Sequence, residues 1–147
     1  MEETAAMAIP ATTTEPRLRH EEKHQVNLRE ALVLSRRLEK LFPRDPHAGP
    51  EGSYQVVSLY YDDPYDTALR QKLDGVNRRE KFRLRYYGEK PAFFKLEKKY
   101  KVNGLCGKRS ARLSTEEAEG LLAGDWGFLL ERGEPLLREL YSKLLGT

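Results

Sequence analysis

Two stretches of the chain, REKFRLRYYG (79–88) and AFFKLEKKYK (92–101), alternate charged and bulky apolar residues with a period of two. Only a β-strand sends successive side chains to opposite faces, so the pattern predicts two half-buried strands. In the first, Lys81, Arg83 and Arg85 interleave with Phe82, Leu84 and Tyr86; in the second, Lys95, Glu97 and Lys99 form the charged side. The connecting GEKP suits a hairpin turn, which would set the two strands side by side. A solvated strand face ordinarily mixes its signs, whereas this one is almost wholly cationic.

The rest of the chain surrounds these strands with shorter elements. RLRHEEKHQV (17–26) reads as a short, mostly charged strand. Asn27 with Glu30 forms a capping box that opens a helix running to Phe42, where Pro43 stops it. RDPHAGPEGS (44–53) is a turn-rich loop, and YQVVSLYYDD (54–63) is a strand rich in β-branched and aromatic residues. A short helix is expected over 65–73, a turn at NGLCG (103–107) and a strand at 108–113. Ser114 with Glu117 caps a helix to about Ala123, and Pro135 opens a final helix with a leucine stripe. The order of elements defines an α+β protein with an antiparallel β-sheet and flanking helices.

Charge is concentrated in the strand-rich middle. Residues 70–112 hold fifteen Lys and Arg against four Asp and Glu, a local charge of +11 in a chain whose net charge is +3. Such a block points to a local polyanion site rather than a generally adhesive surface. Cys106 is the single cysteine, which excludes an internal disulfide and a cysteine-rich zinc site. Its place beside a glycine-flanked turn reads as structural. No apolar run approaches the roughly 20 residues of a membrane span. The first sixteen residues, acidic and rich in Thr, Ala and Pro, read as a disordered tail and lack the features of a signal peptide. The expectation is a soluble, cytoplasmic protein.

Four segments carry charge at alternate positions: Arg19, Glu21 and Lys23; Lys81, Arg83 and Arg85; Lys95, Glu97 and Lys99; and Lys108 or Arg109 with Arg112. Should these faces coincide, rows of cations would stand about 4.8 Å apart across strands and about 7 Å apart along them. That spacing suits a chain of phosphates, with Arg engaging oxygens in pairs and Lys acting as a mobile point charge. Glu21 and Glu97 among the cations either orient them, hold a divalent metal beside a phosphate, or close cross-strand ion pairs. Phe82 and Tyr86 take the opposite parity, which argues for phosphates over stacked bases, so no nucleic acid is expected.

Taken in order, RHEEKH, SLYYDDPYDTALRQKLDG, REKFRLRYYG and FFKLEKKYKVNGLCGKRSARL resemble the VTC domain, the polyphosphate polymerase branch of the triphosphate tunnel metalloenzymes. The resemblance runs from about residue 17 to the C-terminus. It implies a tunnel of antiparallel strands with a basic lining for ATP or polyphosphate. It also implies transfer of the ATP γ-phosphate to a polyphosphate chain, with Mn²⁺ or Mg²⁺ as cofactor. Carried over residue by residue, it assigns Lys23, Arg83, Arg85 and Lys99 to catalysis. Phosphate binding adds Lys72 and the Lys108–Arg109 pair, between which the motif does not choose. Glu97, and Glu21 beside it, are the candidate metal ligands.

The resemblance further implies that a complete domain continues into a second set of strands. Residues 17–147 would then be its N-terminal part: some five strands, forming about half of a tunnel that a C-terminal half or a partner chain completes. A triphosphatase, or a non-catalytic module binding polyphosphate or inositol phosphates, would use the same face.

Overall fold

The computed structural model describes residues 17–146; the tail expected at 1–16 lies outside them. Its centre is the predicted pair of strands, β2 (Arg78–Tyr87) and β3 (Phe94–Val102). They belong to a four-stranded antiparallel sheet in the order β1-β2-β3-β4, with β1 spanning Val56–Tyr61 and β4 spanning Leu105–Leu113. Connections between neighbours in sequence are also connections between neighbours in space, the simplest antiparallel arrangement.

The turn from β3 to β4 is tighter than the sequence suggests. Asn103 and Gly104 alone span it, with φ of 49° and 83°. Positive φ at both central residues is the hairpin turn whose twist matches its strands, and Asn-Gly is the pair that tolerates it best. Pairing therefore resumes at once, Val102 opposite Leu105, and Cys106 sits in a strand rather than in a turn. Gly107 has a different reason to be glycine. A Cβ there would lie 2.3 Å from the Tyr100 ring, which crosses β4 at that point.

The apolar side of β2, β3 and β4 carries Phe82, Leu84, Leu96, Ala111 and Leu113, all buried. Three helices close over it: α3 (Thr115–Ala123), α4 (Gly127–Glu131) and α5 (Pro135–Leu145). They contribute Ala118, Leu121, Leu129, Leu136, Leu137 and Leu140 to one core. Each fully buried leucine is worth about 1.5–3 kcal/mol of burial free energy. The capping box at Ser114 is formed in both directions, and Gly124 ends α3 in the left-handed conformation. The sequence reading leaves out α4: GFLLE is too short to show a helical period, yet Leu129 is wholly buried.

The N-terminal part departs from expectation in two places. Residues 17–26 form no strand; a single antiparallel bridge joins Arg19 to Cys106, with N–H···O distances of 3.0 and 2.8 Å. Every residue of that stretch is exposed, so nothing apolar repays a longer pairing. The described sheet thus has four strands plus this bridge. The helix after Asn27, α1 (Leu28–Leu38), has its capping box but ends four residues before Phe42 and buries none of its residues.

A seven-residue helix, α2 (Thr67–Leu73), lies against β2. Its own N-cap, Asp66, is left-handed at φ 54° and makes no side-chain cap. Two upstream carboxylates do that work. Asp62 accepts from the N–H groups of Ala68 and Leu69 at 2.9 and 3.1 Å, and Asp63 from those of Tyr65 and Thr67, both at 3.0 Å. Asp62→Ala is expected to cost about 1 kcal/mol, the usual worth of a helix cap, and to loosen α2. Faster hydrogen exchange at Ala68 and Leu69 would report it, and unchanged exchange would refute the role.

Candidate functional site

The register decides which cations share a face. Across β2 and β3, Lys81 pairs with Lys99, Arg83 with Glu97 and Arg85 with Lys95. Across β3 and β4, Lys99 pairs with Lys108, Glu97 with Ser110 and Lys95 with Arg112. These residues therefore line one face of the sheet, opposite the helix-covered core. Arg109 pairs with Lys98 and belongs to the other face. Of the two residues the sequence left open, Lys108 joins the basic row and Arg109 is separated from it by strand parity.

At the middle of this face stands Glu97, 1% exposed. Arg83 Nε donates to its Oε2, Lys108 Nζ lies 3.6 Å from its Oε1, and Arg85 Nε is 4.0 Å from Oε2. Burial pushes the Glu97 carboxyl up, but the Arg83 hydrogen bond and charge, with Lys108 and Arg85, hold it below the ordinary range. Arg83, itself 5% exposed, also donates from a terminal nitrogen to the Tyr60 hydroxyl at 3.3 Å. That bond lowers the Tyr60 pKa against its partial burial. Arg85 Nε donates to Ser58 Oγ at 3.1 Å. Strand β1 thus supplies a hydroxyl to each arginine, a role for Tyr60 and Ser58 that their sequence positions do not announce.

Beside this cluster opens a cleft of about 750 Å³. Its wall takes Lys81 and Lys99 from β2 and β3, Lys72 from α2, Lys108 from β4, and Glu21 and Lys23 from the segment that the Arg19 bridge anchors. The sequence-predicted residues Lys23, Lys72, Lys99 and Lys108 are therefore brought together, though they come from four separate parts of the chain. Lys81, which the alternation of the sequence already puts on one face with Arg83 and Arg85, joins them. Its ammonium lies 5.2 Å from the centre of the Tyr60 ring.

Glu21 and Glu97 do not make a metal cage. Glu97 has an oxygen against Arg83 and the other near Lys108, Glu21 is exposed, and among the described residues no three His, Cys, Asp or Glu side chains gather. A divalent ion placed among these cations would meet more repulsion than ligand charge. Among the described residues, too, no helix is long and apolar enough to cross a membrane.

An antiparallel sheet with helices on one face and a row of cations on the other defines an α+β domain with a basic sheet face. The chain belongs to the VTC domain family, whose family model matches residues 18–146. No curated protein and no solved structure matches it.

Proposed function

We propose that this domain binds ATP and polyphosphate along its basic sheet face, as one wall of a phosphate tunnel, and transfers the γ-phosphoryl group to the polyphosphate chain. The observation that carries the reading is the shared face of three hydrogen-bonded strands, cationic around a single central carboxylate, Glu97, and set on a chain of the VTC family. In the transfer, the bond from the γ-phosphorus to the β–γ bridging oxygen breaks and ADP leaves. A terminal oxygen of the chain forms the new bond. Such a step needs positioning and charge neutralisation more than covalent help from the protein. Lys23, Lys72, Lys99 and Lys108 meet phosphate oxygens; Arg83 and Arg85 are held by Glu97, Tyr60 and Ser58 as fixed positive charge beside them. The Mn²⁺ or Mg²⁺ that such chemistry uses does not fit a cage of this chain's described residues, and no step is assigned to it.

Phe82 is buried under the helices and Tyr86 packs edge-on against Phe94, so neither is offered to a base. This favours a phosphate chain over nucleic acid as the partner. The test is incubation with ATP and Mn²⁺, following ADP and long-chain polyphosphate, with tripolyphosphate binding measured in parallel. Polyphosphate formation supports the polymerase reading. Binding without product would reduce the domain to a polyanion-binding module, and release of inorganic phosphate alone would make it a triphosphatase. Single-stranded RNA bound more tightly than polyphosphate at equal salt would overturn the reading. Lys99→Gln is expected to weaken polyphosphate binding about tenfold, the worth of one charge-assisted contact.

A further inference from the structure

The basic face is not uniform. Around Glu97 the positive charge already has a counter-ion, with Arg83 in contact and Lys108 and Arg85 at 3.6 and 4.0 Å. Further along, Lys23, Lys72, Lys81 and Lys99 have no carboxylate within ion-pair distance among the described residues. The cleft opens at this second end: its wall includes those four lysines and excludes Arg83, Arg85 and Glu97. The acids on the same wall offer little relief. Asp62 is committed to the N–H groups of α2, and Glu80 pairs with Lys98 and Lys143. Glu21 is exposed and forms no ion pair among the described residues.

We propose, resting on the polyphosphate reading above, that the terminal phosphates of the bound polyanion sit at this lysine end, with Lys81 as its central cation, while the Arg83–Glu97 cluster is a prepaired flank. Lys81 and Lys99, paired across β2 and β3, are half-buried on the sheet face, while Lys23 and Lys72 are exposed, and Lys81 feels the charge of all three others. Burial lowers its pKa, Tyr60 opposes that, and the charges of Lys72, Lys23 and Lys99 lower it further. Four ammonium groups on one wall with no carboxylate of the described residues beside them concentrate positive charge, which a phosphate terminus neutralises. Lysine also suits a site whose occupant moves. Its compact charge on a flexible stem follows a shifting phosphate, whereas an arginine locked to a carboxylate and a hydroxyl keeps one geometry.

The test is calorimetric titration of the full chain with tripolyphosphate at one fixed salt concentration, using Lys81→Gln, Lys81→Arg, Lys72→Gln and Arg85→Gln. Lys81→Gln should weaken binding about tenfold, and Lys81→Arg should restore it to within about threefold, since charge rather than shape is what the site requires. Lys72→Gln, exposed on α2 and harmless to the fold, should also weaken binding, and Arg85→Gln should weaken it less than Lys81→Gln does. Wild-type binding with Lys81→Gln unchanged, or with Arg85→Gln the more damaging, would overturn the lysine-end assignment alone. Absence of wild-type binding would instead overturn the polyphosphate reading on which it rests.

Discussion

Arg83→Leu is expected to destabilise the domain by about 3–5 kcal/mol, the cost of leaving a buried charge without its partner. The partner is Glu97, 1% exposed and flanked on β3 by the core residue Leu96. Lys108 and Arg85 offer partial compensation, at 3.6 and 4.0 Å, which places the loss toward the lower end of that range. Urea unfolding measures it; a difference below about 1 kcal/mol would mean that Glu97 is hydrated or relaxes to another cation. Adding Glu97→Leu should recover most of the loss, because removing both charges removes the desolvation penalty that either one alone leaves behind.

The same pair sets a pH dependence, and its sign follows from the direction of the Glu97 shift. The folded carboxyl is held below its ordinary 4.5, so its stabilising contribution is complete above that value. The contribution falls away as the pH drops through the folded pKa. In Arg83→Leu, burial acts with less opposition and moves the carboxyl the other way. The variant should then lie furthest below the wild type near neutral pH and approach it as acid protonates Glu97. A gap that stays constant from neutrality down to pH values below the usual carboxylate range would show that the lost stability is packing, not charge.

Strands β2 and β3 were legible because a period of two survives in any strand whose faces meet different surroundings, and Lys81 to Tyr86 display it without interruption. The choice between Lys108 and Arg109 was legible too, once Asn-Gly is read as a two-residue hairpin. Counting outward from Val102 and Leu105 puts Lys99 opposite Lys108. The Arg83–Glu97 pairing was not, since the residues between Tyr87 and Phe94 are too many to impose a register. Nor could residues 17–26 show that one bridge, rather than a strand, anchors them, because alternating charge looks the same on a paired and an unpaired segment. What the sequence presents as one basic face is thus divided by a tertiary fact: which cations have met a carboxylate and which have not.

Leu137→Ala carries the second large effect and separates the two faces of the sheet. Leu137 is fully buried in the core where α5 packs on α4 and β4, and truncating it removes three carbons and leaves a cavity. The cost for such a site is about 2–5 kcal/mol, depending on how far the helices collapse. Leu28→Ala on α1 provides the contrast: Leu28 is 78% exposed, and its loss should stay within about 0.5 kcal/mol. Equal costs for the two would mean that α1 packs on the core. The lysines lie on the opposite side of the sheet from Leu137, so the folded fraction of Leu137→Ala should bind tripolyphosphate with wild-type affinity even as its unfolding midpoint drops. A fall in affinity under fully folding conditions would show instead that core packing sets the spacing of the cation rows. That coupling is physically available, since Leu96 and Glu97 are adjacent on β3 and point to opposite faces. Its absence would mark the sheet as a rigid partition, with stability determined on one side and anion recognition on the other.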